Sequence, residues 1–360
     1  MSKFYLRNQL CIPVDGYNRA MIYDLGRRDY HFISRAYYGL LNTDGFINFD
    51  QIADQSERSE LIDFLLDLEI IFEVAAQHEE KRFPPVTRSI AYPNQLTHAV
   101  IHANISPAFI DVIGNSHLQN LSILAPQISD ELLKLIASIK HLEIDGIYLY
   151  IENFEAENIE RHLTELGRHF ALFSVNFFGA ATPDTQLRDN IYYNFFTESL
   201  QDYCQKTTVD KLFVNHDLFF EAYNKHAYYH GKVYIDQSGQ IKNGLNNTQS
   251  FGNINSVTAV EFQQIVHSEP FMELGNINKN ETLVCKDCEF RYMCTDPRVP
   301  VKGDAHWYHP TECQYNPYLS LWQHDDGYLD LQASGVTVSA TGCTIDKALL
   351  DMKFNQIWSE

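Results

Sequence analysis

Four cysteines grouped between residues 285 and 313 constrain this chain more than any other feature of its sequence. Cys285, Cys288 and Cys294 form a C-x2-C-x5-C motif, and Cys313 follows nineteen positions after Cys294. Four thiolates can complete the coordination shell of a [4Fe-4S] cluster or of a tetrahedral zinc ion. The spacing therefore predicts that the four sulfurs converge on one metal centre.

The spacing of these cysteines favours an iron–sulfur cluster over zinc. Zinc ribbons usually contain two C-x2-C pairs, whereas this motif contains one tight pair and a third cysteine six residues further on. The longer loop suits a cluster whose iron atoms need ligands from different directions. We expect one [4Fe-4S] cluster at Cys285, Cys288, Cys294 and Cys313, with zinc as the alternative.

The remaining cysteines do not suggest a disulfide framework. The chain has seven cysteines, an odd number, and its first residues, MSKFYLRNQLCIPVDG, contain no apolar segment of an export signal. These features predict a cytoplasmic protein. Cys11, Cys204 and Cys343 are isolated, and we expect them to be small buried hydrophobic residues.

The charge of the chain limits its partners. Its 47 acidic and 27 basic residues give a formal net charge of −20, which repels phosphate backbones and anionic lipid. No apolar stretch approaches the ~20 residues that span a bilayer. We therefore expect neither nucleic acid nor a membrane as a partner.

The first 78 residues combine strand-like runs with a helical stripe. The runs AMIYDL and DYHFIS are separated by GRR, which is typical of a hairpin turn. The next segment carries apolar residues at helical spacing: Leu61, Phe64, Leu65 and Leu68. A β-rich run from Ile70 to Val74 follows. Strands, helix and final strand in this order predict a winged-helix domain over residues 1–78.

Composition divides the rest of the chain. The charged segment HEEKRFPPVTRS contains Pro84 and Pro85, which stiffen the backbone and predict a linker. We place a β/α domain at 95–225, a cysteine-rich domain at 226–322 and a C-terminal extension at 323–360.

Alternation of strand-like and helical segments characterises residues 95–225. The strand-like runs are HAVIHANI, LSILAP, GIYLYIENF and ALFSVNFFGA. Their alternation with helical patterns predicts βαβ units around a parallel sheet, open or partly closed into a barrel. The sequence contains neither Gly-rich nucleotide-binding motif. We interpret His98, His102 and Asp111 as structural residues rather than as a site.

The cysteine motif and its surroundings resemble a known family. The motif is similar to the second auxiliary-cluster half of SPASM domains, the Fe–S extensions of radical SAM peptide-modifying enzymes. The stretches VYIDQSGQIKNG, FGNI, CKDCEFRYMCTDPRVP and ECQYNPY resemble the SPASM-domain peptide maturases of grasp-with-spasm systems. PVDGYNRAMIYDLGRRDYHFIS resembles PqqD-like leader-recognition domains. Together these stretches imply an α/β chain with a PqqD-like winged helix, a degenerate radical-SAM-like β/α partial barrel and a SPASM-like domain.

Two departures limit what this resemblance implies. The sequence contains no C-x3-C-x2-C motif, so we expect neither SAM binding nor autonomous radical SAM activity. A complete SPASM domain also has a ligand of its first auxiliary cluster four positions after the x5 cysteine. Arg298 occupies that position here. Only the second cluster is implied, and Arg298 is not expected to ligate it.

The resemblance implies an accessory role in peptide maturation. The N-terminal domain would bind the leader of a ribosomally made precursor peptide, and a partner ATP-grasp ligase would form the bond. Leaders of this kind add a strand to an exposed sheet edge. We expect the strand DYHFI and the helix over 58–69 to form that groove, with Tyr30, Phe32, Leu61 and Leu65 as its lining or as ordinary core.

Two further functions stay open at this point. One is a redox enzyme that acts on a peptide through its Fe–S cluster, although four thiolates leave no vacant iron for a substrate. The other is a zinc-stabilised peptide-binding adaptor. Trp307, Tyr308, Phe290 and Tyr292 are candidates for an aromatic shell around the metal, but core packing explains them equally well.

Overall fold

The structure is a computed structural model. It describes residues 4–75, 86–89, 96–106, 108–113, 116, 118–139, 142–157, 159–169 and 171–358. Most of the predicted linker, from residue 78 to 85, lies outside these residues. Within them, no helix is both long and apolar enough to cross a membrane.

The N-terminal region contains two small sheets and two α-helices, of which the second is the longer. Its strands are β1 (Phe4–Arg7), β2 (Cys11–Asp15), β3 (Arg19–Asp24), β4 (Asp29–Ser34) and β5 (Ile71–Val74). Strands β2, β3 and β4 form an antiparallel sheet, and β1 pairs with β5. The helices are α1 (Tyr38–Leu41) and α2 (Gln55–Asp67). The order of strands, helix and final strand is the order that the sequence predicts.

Local side chains fix the ends of these elements. The Asp24 carboxylate accepts backbone N–H bonds from Gly26 and Arg27, which closes the turn between β3 and β4. The Asp54 side chain accepts the Glu57 backbone N–H and caps the first turn of α2. Both caps use a short acidic side chain in place of a missing backbone partner.

The sheet β2–β3–β4 packs against other elements on both faces, although most of β4 is exposed or half-buried. Ile22 and Ile33 pack with α2 in one hydrophobic cluster. Met21 and Tyr23 belong to a second cluster that includes aromatic residues from beyond residue 200. Because side chains alternate across a strand, one sheet separates the helix from the rest of the protein.

A large sheet of eight strands forms the middle of the protein. Its strands are β6 (His98–His102), β7 (Asn120–Ala125), β8 (Gly146–Ile151), β9 (Leu172–Phe178), β10 (Asp184–Arg188), β11 (Ile191–Phe196), β12 (Lys232–Ile235) and β13 (Ile241–Lys242). The spatial order is β10-β11-β9-β8-β7-β6-β12-β13, and only the β10–β11 and β12–β13 pairs are antiparallel. The predicted mixed α/β architecture around a parallel sheet is confirmed.

Helices cover one face of this sheet. The helices after β5 are α3 (Ala108–Ile113), α4 (Asp130–Ser138), α5 (Ile159–Leu166), α6 (Leu200–Gln205), α7 (His216–Asn224), α8 (Ala259–Val266) and α9 (Glu269–Asn276). Side chains of α3, α4, α5, α8 and α9 join one hydrophobic cluster with Ile101, Leu149 and Val175 of the sheet. Hydrocarbon burial of this extent is the main source of stability for such a layer.

The hairpin β12–β13 belongs to the large sheet. The sequence predicts it as part of the domain over 226–322, but β12 pairs in parallel with β6 over four residue pairs. By joining an existing parallel sheet, the strand KVYI pairs the backbone N–H and C=O groups along its edge. The change of architecture therefore falls after this hairpin.

The cysteine-rich region has little regular structure. Its strands are β14 (Val301–Lys302), β15 (Trp307–Tyr308), β16 (Tyr315–Asn316), β17 (Leu321–Trp322), β18 (Val336–Ser339) and β19 (Gly342–Ile345), and the chain ends in α10 (Lys347–Trp358). Two-residue strands contribute few ladder hydrogen bonds. This region must therefore obtain its order from side chains or from a bound group.

Candidate metal centre

All four predicted ligands line one cavity. Cys285, Cys288, Cys294 and Cys313 contribute to the wall of a space of about 280 Å³, and each is a free thiol. The fold thus places Cys285 and Cys313, which are 28 positions apart in the sequence, on the same cavity.

Tight local turns position the first two cysteines. Val284 has a φ of +68°, a conformation that β-branched residues rarely adopt. A 3-10 turn over Cys285–Asp287 follows, and the Cys288 backbone N–H donates to the Cys285 carbonyl at 3.1 Å. The backbone strain at Val284 marks the point where the chain turns into the cavity.

The thiols are set in a buried environment. Burial raises the pKa of Cys285 to about 12 and raises the pKa values of Cys288 and Cys313. A thiolate must form when a metal binds, so metal replaces a proton at each sulfur. The cavity suits thiolates that are neutralised by a metal better than free thiolates.

A buried lysine faces one of the four sulfurs. Lys279 Nζ donates to Cys294 Sγ at 3.3 Å, and only 2% of the lysine side chain is exposed. Burial alone would lower the pKa of Lys279, but Cys294 and Asp296 raise it above the ordinary value. The ammonium group therefore stays charged beside the sulfur, where it stabilises negative charge.

Asp296 is surrounded by cationic groups at the cavity wall. Its carboxylate accepts Arg298 Nε at 3.0 Å and Nη2 at 2.5 Å, and Lys279 Nζ lies 3.8 Å from Oδ2. Burial would raise the pKa of Asp296, but Arg298 and Lys279 hold it well below the ordinary value. Arg298 thus contacts Asp296 at the cavity, and a guanidinium is a donor without a lone pair for a metal.

His309 is the least satisfied polar group of the cavity. Only 4% of its side chain is exposed, and neither ring nitrogen has a hydrogen-bond partner among the described residues. Leaving such a group unpaired costs about 1–3 kcal/mol. Burial lowers the pKa of His309 to about 3, so the ring is neutral near pH 7.

These residues fit a metal–sulfur centre. The donor set contains four thiols on one cavity wall, which both zinc and a [4Fe-4S] cluster accept. Four thiolates carry more negative charge than one divalent ion neutralises, and Lys279 supplies a buried cation beside them. His309 adds a buried imidazole to the same wall, and imidazole is a further donor that zinc accepts.

The loop between Cys288 and Cys294 also packs against the N-terminal sheet. Glu289, with 1% of its side chain exposed, accepts Arg19 Nε and the Tyr315 hydroxyl, both at 2.6 Å. The backbone carbonyl of Glu289 accepts the hydroxyl of Tyr23 at 2.7 Å. This short loop therefore forms part of the cysteine cavity and also makes a polar contact with β3.

Two further contacts strengthen this junction. Arg291 Nη2 donates to Asp15 Oδ1 at 2.7 Å, at the end of β2. The Tyr17 backbone N–H donates to the Asp287 carbonyl at 2.8 Å. The cysteine loop and the turn between β2 and β3 are thus fixed to each other.

The four residues predicted for the leader groove lie on opposite faces of one sheet. Tyr30 and Phe32 face the cysteine loop, with ring centroids 6.2 and 5.9 Å from that of Phe290. Leu61 and Leu65 pack behind the sheet in the N-terminal core. The structure brings Tyr30 and Phe32 together with Phe290, but not with Leu61 and Leu65.

The four aromatic residues predicted to surround the metal lie away from the walls of the cysteine cavity. Phe290 and Tyr292 are buried in the cluster that contacts the N-terminal sheet. Trp307 and Tyr308 form the two-residue strand β15 and are half-buried. The described walls of the cysteine cavity include none of these four side chains.

A second cavity lies on the sheet face that the α3–α5 and α8 layer leaves uncovered. It has a volume of about 720 Å³. Its walls include His98, Ser122, Tyr150, Tyr203, Tyr228 and Tyr234. His98 Nε2 and Ser122 Oγ are 2.8 Å apart, as are His102 Nε2 and the Tyr234 hydroxyl. The two histidines thus have internal partners, and Asp111 lies on α3 at the other face of the sheet.

One short segment of the chain lines both cavities. Cys294, Asp296 and Arg298 line the cysteine cavity. Thr295 and Pro297, the residues between them, line the cavity on the sheet. The two spaces are therefore divided by a wall that is one chain thick.

The sequence interpretation did not identify Lys279, Asp296 or His309. The only local signal is that His309 precedes Cys313 by four residues, as metal ligands of one short segment often do. Lys279 and Asp296 become significant only through contacts formed in the folded chain.

The fold and the site define an α/β protein whose cysteine-lined cavity adjoins its N-terminal sheet. Among solved structures, the chain is similar to SuiB from Streptococcus suis. The structure of SuiB bound to S-adenosylmethionine is 9% identical, with 81% of this chain and 94% of that chain covered and a TM-score of 0.36. The structure of SuiB bound to the precursor peptide SuiA is 9% identical over the same coverage, with a TM-score of 0.33. Neither a protein family nor a curated protein matches the sequence.

Proposed function

We propose that this protein is an accessory maturation factor for a ribosomally synthesised peptide. It binds the leader of the precursor on its N-terminal region and carries a metal–sulfur centre next to that region. The main support for this proposal is that the loop from Cys288 to Cys294 both lines the cysteine cavity and packs against β3 and β4. Peptide capture and the metal centre thus share one structural element.

The proposed centre is one [4Fe-4S] cluster held by Cys285, Cys288, Cys294 and Cys313. Such a cluster supplies one-electron redox chemistry or structural order when bound. Lys279 donates a hydrogen bond to Cys294 and offsets negative charge on the sulfurs. If zinc occupies the cavity instead, the same protein is a zinc-stabilised peptide-binding adaptor.

Bond formation is assigned to a partner ATP-grasp ligase in the cytoplasm. The sequence contains no C-x3-C-x2-C motif, so the proposal includes no SAM and no autonomous radical SAM activity. The corresponding domains are a leader-binding winged helix at 1–78, a degenerate radical-SAM-like β/α domain at 95–225, a SPASM-like domain at 226–322 and an extension at 323–360. The β12–β13 hairpin is shared with the large sheet.

The outer edge of β4 is the proposed docking strand for the leader. No strand pairs with that edge among the described residues. The Tyr30 backbone N–H donates to the Asp29 side chain at 2.8 Å and so points away from β3. Because backbone donors alternate along an antiparallel strand, the Phe32 N–H points outward as well. Phe32 is 40% exposed and would contact a peptide added there, while Tyr30 lines the same face.

A matched pair of variants at Phe32 tests this docking strand. Phe32→Ala removes the ring and keeps the backbone donor, whereas Phe32→Pro removes both. We expect the full-length Pro variant to bind the precursor leader at least tenfold more weakly than the Ala variant, measured by calorimetry. Circular dichroism checks that both variants fold. Equal affinities of the two folded variants would contradict docking at this edge.

The metal centre and the ligase are tested with the wild-type chain. Anaerobically purified protein should be brown, contain iron and sulfide, and co-purify with the ATP-grasp protein in the presence of the precursor. Colourless protein with bound zinc would instead identify the adaptor. Absence of any metal after reconstitution would contradict the proposed centre.

A further inference from the structure

His309 contributes an imidazole to the wall that also carries the four thiols. One of its ring nitrogens, Cys285 Sγ and an oxygen of Asp296 all lie within 4.8 Å of one another. We infer that His309 is a fifth metal donor of this cavity, and that it binds a single thiophilic ion such as zinc together with the Cys285 thiolate. This inference rests on the proposed metal centre.

The distances support this assignment. A zinc–sulfur bond is about 2.3 Å long and a zinc–nitrogen bond about 2.1 Å, so two such donors on a tetrahedral ion are about 3.6 Å apart. Cys285 Sγ and the His309 nitrogen lie within 4.8 Å of each other. A side-chain movement of about 1 Å is enough for both to reach one ion.

Asp296 has a different role from His309. Its carboxylate is occupied by Arg298 Nε and Nη2 and lies near Lys279, so two cations compete with any metal for it. His309 Nε2 is 3.6 Å from Asp296 Oδ2, so the carboxylate lies beside the imidazole ring. A carboxylate behind a ligating imidazole is a common arrangement, because it fixes the ring and its tautomer. Asp296 is therefore a positioning residue.

The imidazole also explains how the cavity can accept two kinds of metal. Four cysteines suffice for a [4Fe-4S] cluster, whose iron atoms take ligands from different directions. A single ion beside Cys285 has the His309 imidazole within reach as a further donor on that side of the cavity.

Cobalt substitution tests the assignment without reference to activity. Metal-free protein is titrated anaerobically with Co²⁺, and the visible absorption and affinity are recorded for wild type, His309→Ala and His309→Cys. We expect His309→Ala to shift the d–d bands and to weaken Co²⁺ binding by at least tenfold. His309→Cys should restore tight binding and raise the sulfur-to-cobalt charge-transfer intensity, because a thiolate replaces a nitrogen donor.

His306→Ala is the matched control, because His306 is exposed and only three residues away. It should leave both the spectrum and the affinity unchanged. His309→Gln provides a second variant that keeps a polar side chain if the alanine variant does not fold. Wild-type spectra and affinity in folded His309→Ala or His309→Gln would overturn the assignment. A wild-type protein that binds neither Co²⁺ nor iron would instead refute the metal centre itself.

Discussion

The large sheet and the cysteine-rich region are stabilised by different forces. Strands β6–β9 have five to seven residues each and share a hydrocarbon core with five helices. Strands β14–β17 have two residues each, and the same region contains a cavity lined by the buried charged side chains of Lys279, Asp296 and Arg298. Hydrocarbon burial is favourable without any ligand, whereas a buried ion pair roughly balances its own desolvation cost. We therefore expect the stability of the cysteine region to depend more on a bound metal than that of the sheet does.

Removal of the metal should give the largest effect and the clearest contrast between these regions. In Cys288→Ser, we expect loss of bound metal and of hydrogen-exchange protection over residues 279–322, because structural metal binding contributes on the order of 10 kcal/mol to folding. Strands β6–β9 should keep their protection. Cys343→Ser makes the same chemical change at an isolated cysteine and should alter neither. Equal loss of protection in the sheet would mean that the two regions fold as one unit.

A substitution in the core of the large sheet tests whether destabilising the sheet affects the cysteine region. Leu149 is 0% exposed, and Leu149→Ala should lower the free energy of unfolding by about 3 kcal/mol because it leaves a cavity in packed hydrocarbon. Metal content per folded molecule should stay that of wild type, as measured by metal analysis after chemical denaturation has defined the folded fraction. Leu187→Ala, at a side chain that is 61% exposed, should change stability little. Metal loss from folded Leu149→Ala would show that the two regions are coupled.

Glu289 tests the junction between the cysteine loop and the N-terminal sheet. Glu289→Gln removes the charge opposite Arg19 in a buried position and should lower the free energy of unfolding by about 2 kcal/mol. Hydrogen exchange should rise over β2–β4 and leave β6–β9 unchanged. Glu281→Gln, on an exposed side chain of the same region, is the control. If exchange rises in β6–β9 instead, the junction does not act through the N-terminal sheet.

Asp236, in the turn of the β12–β13 hairpin, should give the smallest effect. Burial would raise the pKa of Asp236, but Lys242 and hydrogen bonds from Ser238 and Gln240 lower it to about 2. The stability it contributes is therefore present above the unfolded-state pKa of about 3.9 and is lost as the pH falls towards 2.

Asp236→Asn should cost about 1 kcal/mol at pH 6, and this difference from wild type should shrink steadily below pH 4. Urea unfolding at a series of pH values measures it. Asp63→Asn, at an exposed position of α2, provides the comparison at each pH. A difference that grows as the pH falls would contradict the depressed pKa.

The sequence predicted the sheet better than it predicted the contacts between regions. Alternating strand and helix patterns have a local cause, side-chain period, and the parallel sheet is confirmed. The predicted apolar stripe of α2 includes Phe64, which is 41% exposed, whereas Leu61 and Leu65 are buried in the N-terminal core. Helical spacing shows which residues share a face, but not how wide the covered surface is.

The site shows the same limit. The spacing of the cysteines indicated a shared centre, and all four thiols line one cavity. The roles of Lys279 and Asp296 could not be predicted, because they depend on a buried contact between residues 17 positions apart. The sequence alone could have shown that Tyr30 and Phe32 do not face Leu65. Side chains alternate between the two faces of a strand, so Tyr30 and Phe32 lie on the face opposite to Ile33, which packs against α2.

The thin wall between the two cavities sets a rule for any insertion or deletion in this part of the chain. Cys294, Asp296 and Arg298 line one space, and Thr295 and Pro297 line the other. Where consecutive residues alternate between two sides in this way, adding or removing one residue turns the side chains that follow it to the opposite side. We therefore expect a single-residue insertion or deletion in this segment to disturb both cavities at once.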